Sequence, residues 1–207
     1  MQYNDKLVTS VIGISFALSG VAALIDQVVW QRLLFAGLGV DTASITLVVA
    51  CFMLGLGCGA WLGGWLADQY PRQALTVFCF AEVGVGLFAW HSPYLLRQLS
   101  DWMLDYSSFW IGLANFLVLL IPTSMMGATL PVLISYLTRK WDHVGSATGH
   151  LYAVNTLGAA LGAWLSGFVL FMFMTTDDAV KLAACLNFLA AALIIILIKK
   201  KDRNSDE

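Results

Sequence analysis

Six long apolar runs, separated by short stretches that hold nearly all the charge, organise this chain. They cover residues 7–25, 42–67, 74–90, 109–137, 147–174 and 179–198. A helix needs about 20 apolar residues to cross the hydrocarbon core of a bilayer, so the pattern predicts six transmembrane helices. The residues between the third and fourth runs are patterned too. Ser92 is a good helix cap, Pro93 suits a first turn, and Leu95, Leu96, Leu99, Trp102 and Tyr106 recur at helical spacing opposite Arg97, Asp101 and Asp105. This predicts a separate helix over 93–107 lying in the outer interface, either a strut closing the bundle or a gate over a pathway.

Composition supports the same picture. Of 207 residues, 59% are hydrophobic and 12% charged, whereas soluble domains run to about 45–50% apolar. The expected protein is an all-α integral membrane protein, one six-helix domain over 1–207 with no stretch left for a water-soluble catalytic domain. A net charge of −2 gives no basic field for nucleic acid. Cys51, Cys58, Cys79 and Cys185 lie within apolar runs and behave as small hydrophobes. No nucleophile–base pair, metal-ligand cluster or phosphate loop is visible; the expectation is a protein that is not an enzyme, with neither metal nor cofactor. Lys6 is the only basic residue before the first run, and that run is longer than a signal peptide's apolar region, so it is expected to remain as a span. Six spans put both termini on one side. Lys6, Arg72, Arg139, Lys140, Lys199, Lys200, Lys201 and Arg203 fall on that side, against Arg32, Arg97 and Lys181 opposite, so the positive-inside rule places both termini in the cytoplasm.

The second and fifth runs share a motif. Leu54-Gly55, Gly59-Ala60-Trp61-Leu62 and Gly64 recur in the same spacing as Leu157-Gly158, Gly162-Ala163-Trp164-Leu165 and Gly167, about half the chain length later. The copies lie an odd number of spans apart, in the second and the fifth, and therefore run in opposite directions. This predicts a 3+3 inverted repeat, with halves over about 7–92 and 109–198, of the kind transporters use. Glycines four apart also occur wherever transmembrane helices pack closely, and Gly55, Gly59, Gly158 and Gly162 are expected at helix contacts on either account.

Polar residues inside the runs are the candidates for chemistry. Glu82 is near the middle of the third run, where an ionisable group costs roughly 3 kcal/mol to insert and normally faces the bundle interior or a wet cavity. It serves either as a cation or proton site or as a protonated acid bonded to a neighbouring helix. The fourth run carries Pro122-Thr-Ser-Met-Met-Gly127-Ala-Thr-Leu-Pro131. Two prolines predict a broken helix whose freed carbonyls, with Thr123, Ser124 and Gly127, line a midplane site, or else a kink that serves packing. Asn115 and Asn155 are further candidates for solute or ion binding, or for bonding between helices, and Asn187 is read chiefly as a bond between helices. Asp26 and Arg32, following the first run, are read as an interfacial cluster: an outer gate or a solvated helix end.

The segments 26–34, 52–57, 122–131 and 152–162 together resemble the membrane portion of the fused major facilitator/spermidine synthase-like proteins of bacteria. The likeness runs from about Leu18 to Leu170. Gly64-Trp-Leu-Ala-Asp68-Gln-Tyr-Pro-Arg72 also resembles the loop motif between the second and third helices of major facilitator transporters, though Pro71 stands where that motif has glycine. That resemblance implies gating roles for Asp68 and Arg72, a bacterial inner-membrane location and a half-size bundle that pairs with a second copy. Two functions follow as expectations. One is a secondary transporter working as a parallel homodimer and moving a small, polyamine-like solute by alternating access. The other is a membrane anchor or scaffold for a separate cytosolic aminopropyltransferase-like synthase. Membrane lipid is a partner in both.

Overall fold

The computed structural model describes residues 2–39, 41–139 and 144–203. The side chains of Lys6, Lys201 and Arg203, and all of Lys140, lie outside the described set, so that part of the charge count has no structural counterpart. Among the described residues, six helices are long and apolar enough to cross a membrane. They are α1 (Gln2–Leu38), α2 (Asp41–Gln69), α3 (Ala74–Trp102), α4 (Ser108–Thr138), α5 (Val144–Leu165) and α6 (Thr176–Arg203). A 3-10 turn at Pro71–Gln73 leads into α3. A π-helical turn at Ser166–Leu170 extends α5 to Phe173.

Three elements differ from the sequence pattern, each for a local reason. The first span does not stop at Asp26, because nothing between there and Gly37 breaks a helix. It ends at Gly39, whose φ of 70° lets its N–H turn back to the carbonyl of Phe35 at 2.9 Å, the left-handed C-terminal cap that favours glycine. The separate interfacial helix expected over 93–107 is instead the last turns of α3, which runs through Pro93 to Trp102. Pro93 withdraws the donor that the Ala89 carbonyl would use, and the Ser92 hydroxyl supplies another at 2.9 Å. Ser92 therefore heals the helix rather than starting a new one. Likewise α4 is one continuous helix despite Pro122 and Pro131. Hydroxyls near the prolines bond back to the helix, Thr123 to Leu119 at 2.9 Å and Thr129 to Met126 at 2.6 Å.

Packing is dominated by two close parallel pairs, α2 with α4 and α1 with α5. A Cβ on Gly59 would collide with the carbonyl of Ser124, and one on Gly162 with the carbonyl of Val21; Gly158 meets the carbonyl of Ala17 in the same way, while Gly55 lies against the Thr123 side chain. The glycine motifs thus bring backbone against backbone in both pairs. Helices α3 and α6 close the other side, with α3 parallel to α1. Two buried apolar clusters result, one around Trp30, Phe52 and Leu96, the other around Phe16, Phe78 and Leu133. Ser19, Glu82 and Asn187 lie where these two clusters meet.

At one end, Arg97 on α3 donates to both carboxylate oxygens of Asp177 at the start of α6, at 2.5 and 2.9 Å. Both side chains are substantially exposed, 52% and 39%, so water competes for the pair and its worth is about 0.2–1 kcal/mol. Arg97→Gln should accordingly move thermal unfolding in detergent only slightly. A shift as large as that of a core truncation would show that the pair locks α3 to α6.

Candidate functional site

The buried face of α1 carries Ser15, Ser19 and Asp26, spaced four and seven residues apart and so on one side of a helix. Opposite stand Glu82 on α3 and Asn187 on α6. Small residues make the enclosure tight: Ala22 on α1 and Ala183, Ala184 and Ala191 on α6 are fully or almost fully buried. Glu82 is 2% exposed, and its Oε1 accepts a hydrogen bond from the Ser19 hydroxyl at 2.7 Å. Its other oxygen, Oε2, has no partner. Asp26 is completely buried and neither of its oxygens has a hydrogen bond of proper geometry. The Asn187 amide lies beside Asp26. The Asn187 amide nitrogen and the Ser15 hydroxyl also lack partners.

Depth follows from register. Ser19 is level with Glu82 and Trp30 with Ser92, so α1 and α3 run side by side. Seven residues from Ser19 to Asp26 amount to about 10 Å of helical rise, and both lie in the middle part of a span covering Leu7–Leu38. Asp26, expected at an interfacial gate, is therefore a deeply buried carboxylate. Arg32 does not join it; it is exposed, with its guanidinium 3.6 Å above the Phe171 ring. Asp68, at the end of α2, and Arg72, in the 3-10 turn, are both exposed.

A cavity of about 410 Å³ lies among α1, α2, α4 and α5. Phe16, Phe52, Met126 and Leu130 give it apolar walls, and Ser19, Gln27, Gly127, Tyr152 and Asn155 bring polar groups or backbone to it. Asn155 donates to the Phe16 carbonyl at 3.0 Å, which ties α5 to α1. Ser19 belongs to both places: it lines the cavity and bonds Glu82 behind it.

The candidate residues are thus divided. Gly127 and Asn155 line the cavity, and Glu82 adjoins it through Ser19. Thr123 and Ser124 sit in the seam between α2 and α4, against Gly55 and Gly59, with the Thr123 hydroxyl 3.8 Å from the Cys51 sulfur. Asn115 is fully buried, donates to the Ile111 carbonyl at 2.8 Å and leaves its own carbonyl oxygen unpartnered. Ser19, the burial of Asp26 and the place of Asn187 beside it escaped the sequence reading. The signal for the first two was the polar spacing on α1, which a span ended at residue 25 conceals.

No family model and no solved structure matches the chain. Two curated proteins do. Polyamine aminopropyltransferase 2 of Streptomyces coelicolor is 25% identical over 170 residues, covering 80% of this chain and 30% of that protein. A polyamine aminopropyltransferase of Oceanobacillus iheyensis is 22% identical over 208 residues, covering 97% of this chain and 38% of that protein. The chain therefore spans about a third of the length of the curated relatives it matches. Both are named as enzymes, and this corrects the expectation of a protein outside enzyme families, which had rested on the absence of a catalytic motif within these spans. The chain is an all-helical protein with six potential spans, distantly similar to polyamine aminopropyltransferases.

Proposed function

We propose that this chain is the membrane part of a polyamine aminopropyltransferase-type enzyme and carries a small cationic, polyamine-like solute between its spans. The observation that carries this reading is a cavity at membrane depth with a buried carboxyl group, Glu82, held directly behind its lining residue Ser19 and keeping one oxygen unpartnered, in a chain whose relatives are named for polyamine chemistry. An inert anchor has no use for charge at that depth, where it is costly. In this reading the bundle is half-size and major facilitator-like, works by alternating access as a parallel homodimer, and sits in a bacterial inner membrane with both termini cytoplasmic. Helix pairing supports the 3+3 inverted repeat that such a mechanism uses: exchanging α1 with α4 and α2 with α5 turns the α2–α4 contact into the α5–α1 contact, glycines included. Asn155 and Gly127 are the solute-facing residues, Glu82 acts from behind Ser19, and Thr123, Ser124 and Asn115 are support on α4. Asp68 and Arg72 act at the cytoplasmic gate, and Arg32 at the outer one. The least enclosed spans, α2 and α5, show Trp61, Trp65, Trp164 and Phe168 outward, to lipid or to the second copy.

Purified protein in liposomes should take up labelled 1,4-diaminobutane saturably and above protein-free vesicles, and its native mass in mild detergent should be that of a dimer. Uptake equal to that of empty vesicles would overturn the solute-carrying reading. The alternative is then a membrane anchor or scaffold for a cytosolic aminopropyltransferase-like enzyme, favoured by the relatives' names together with the third of their length that this chain covers.

A further inference from the structure

We infer that Glu82 is a proton-binding site served from the cavity among α1, α2, α4 and α5, and that the Ser19 hydroxyl is the relay between the two. This goes beyond the solute-carrying reading and stands whatever the cavity takes, because it needs only water there. The first support is access. Glu82 is 2% exposed and does not line the cavity, whereas Ser19 lines it and donates to Glu82 Oε1 at 2.7 Å. Ser19 therefore joins the cavity to the carboxyl. The enclosure behind it is built from small, buried residues such as Ala22 and Ala184, and a proton handed along a hydrogen bond needs no room that they would have to yield.

The second support is the chemistry of the join. A serine hydroxyl has one hydrogen to give and two lone pairs to receive, so it can take a proton on one side as it releases one on the other. In the inward step a hydronium ion in the cavity gives a proton to Ser19 Oγ while the serine's own hydrogen passes to Glu82 Oε1. The hydronium leaves as water, Ser19 is again a hydroxyl, and the carboxylate has become a carboxylic acid; the outward step is the reverse. Glu82 Oε2 has no partner, so no second donor ties the group down as a carboxylate. Proton relays are among the recurring uses of ionisable residues inside membranes.

The third support is the capacity of the cavity for water. Gln27, Thr129, Tyr152 and Asn155 line it beside Ser19, and its volume is about 410 Å³; a water takes about 30 Å³ and two to four polar partners. Other titratable groups on the helices around Glu82 stand apart from this route. Asp26 is about 10 Å of helical rise from Ser19, with Asn187 of α6 beside it, and the Cys79 thiol lies 3.7 Å from the Ala191 carbonyl. On α3, His91, Arg97 and Asp101 are exposed toward its far end, and on α6 Cys185 is exposed and the charged residues lie toward the two ends. Apart from Tyr136 near its end, α4 has no titratable side chain.

The test exploits the sequence, in which Glu207 is the only other glutamate. The full chain with Glu207→Gln is made by cell-free synthesis, with and without glutamate carrying carbon-13 at its side-chain carboxyl, and placed in phosphatidylcholine nanodiscs. In the labelled-minus-unlabelled infrared spectrum the lipid and backbone carbonyls cancel, which leaves Glu82. A carboxylic-acid band should be present or appear as pH falls, and in deuterium oxide it should shift much faster than core amides exchange. Ser19→Ala should slow that shift at least tenfold with the band retained. Ser19→Thr keeps the hydroxyl and should stay close to wild type, as should Ser15→Ala, one turn away on the same face. Should Ser19→Ala fail to fold by circular dichroism and elution profile, Ser19→Val against Ser19→Thr, two side chains of one shape, repeats the comparison. No carboxylic-acid band at any pH at which the protein is folded would overturn the proton site. A band that exchanges no faster than core amides, or as fast without the hydroxyl as with it, would overturn the relay. Liposome uptake of 1,4-diaminobutane is scored separately, so the solute-carrying reading and this site fail on different results.

Discussion

Leucine at Gly59 or Gly162 should prevent the helix bundle from assembling, whereas leucine at Gly57 should be tolerated. At the first two positions even a Cβ has nowhere to go: the atoms it meets are backbone, the Ser124 carbonyl for Gly59 and the Val21 carbonyl for Gly162. Overpacking against side chains costs about 1–3 kcal/mol because side chains can shift. Here a whole helix has to move away, and the contacts of the close pair are lost along its length. A Cβ on Gly57 would meet nothing within 4 Å. One on Gly112 would meet only the tip of Leu47, at 3.1 Å, so leucine there should be intermediate. The check is the monodisperse fraction after extraction and the thermal unfolding of all four variants in one detergent. Equal behaviour would mean that the α2–α4 and α1–α5 pairs do not hold the bundle together.

Trp30→Ala should be the most damaging truncation in the apolar cluster around Phe52 and Leu96. The indole is completely buried, lies edge-on to Phe88 with ring centres 5.6 Å apart and tilted on Phe52 at 5.8 Å, and donates to the Ser92 hydroxyl at 2.9 Å. Truncating a buried Trp in a soluble core costs about 3–5 kcal/mol. In a bilayer the displaced surface meets lipid as apolar as the core, so the transfer part shrinks and the loss of packing remains. The expected cost is therefore about 3 kcal/mol, at the low end of that range. Trp30→Phe keeps most of the ring contact and gives up one hydrogen bond, about 1 kcal/mol. Unfolding by sodium dodecyl sulfate in mixed micelles ranks the two. An alanine variant as stable as the phenylalanine variant would show that the aromatic cluster contributes little.

Both predictions concern residues that the sequence displays in different ways. The glycines announce themselves, because the same spacing with the same tryptophan occurs twice. What they touch is not announced: α2 could have met any of five other helices, and its close approach to α4 depends on where the other spans settle. Trp30 is less visible still. A reading that ends the first span at residue 25 makes it an interfacial aromatic, whereas the continuous helix turns it into the interior. Pro93, Pro122 and Pro131 misled for a related reason. Proline removes one donor from a helix, but whether the helix then breaks depends on what meets the freed carbonyl, and a neighbouring hydroxyl such as that of Ser92 can do so locally.

Hydropathy along the chain was enough to establish an all-helical protein, six helices able to span a membrane, and the depth of Glu82 within one of them. These follow from the bilayer as solvent: backbone groups have to be satisfied within each segment, so a count of apolar residues is already a statement about structure. It took the packed bundle to reveal that Asp26 is interior, that Ser19 carries the hydrogen bond to Glu82, and that Asn187 stands beside Asp26. Hydropathy along one segment measures the cost of putting a polar group in the membrane. Whether that cost is met, and by which residue, depends on side chains far away in sequence that share the same depth and face, and it is packing between helices that brings them together.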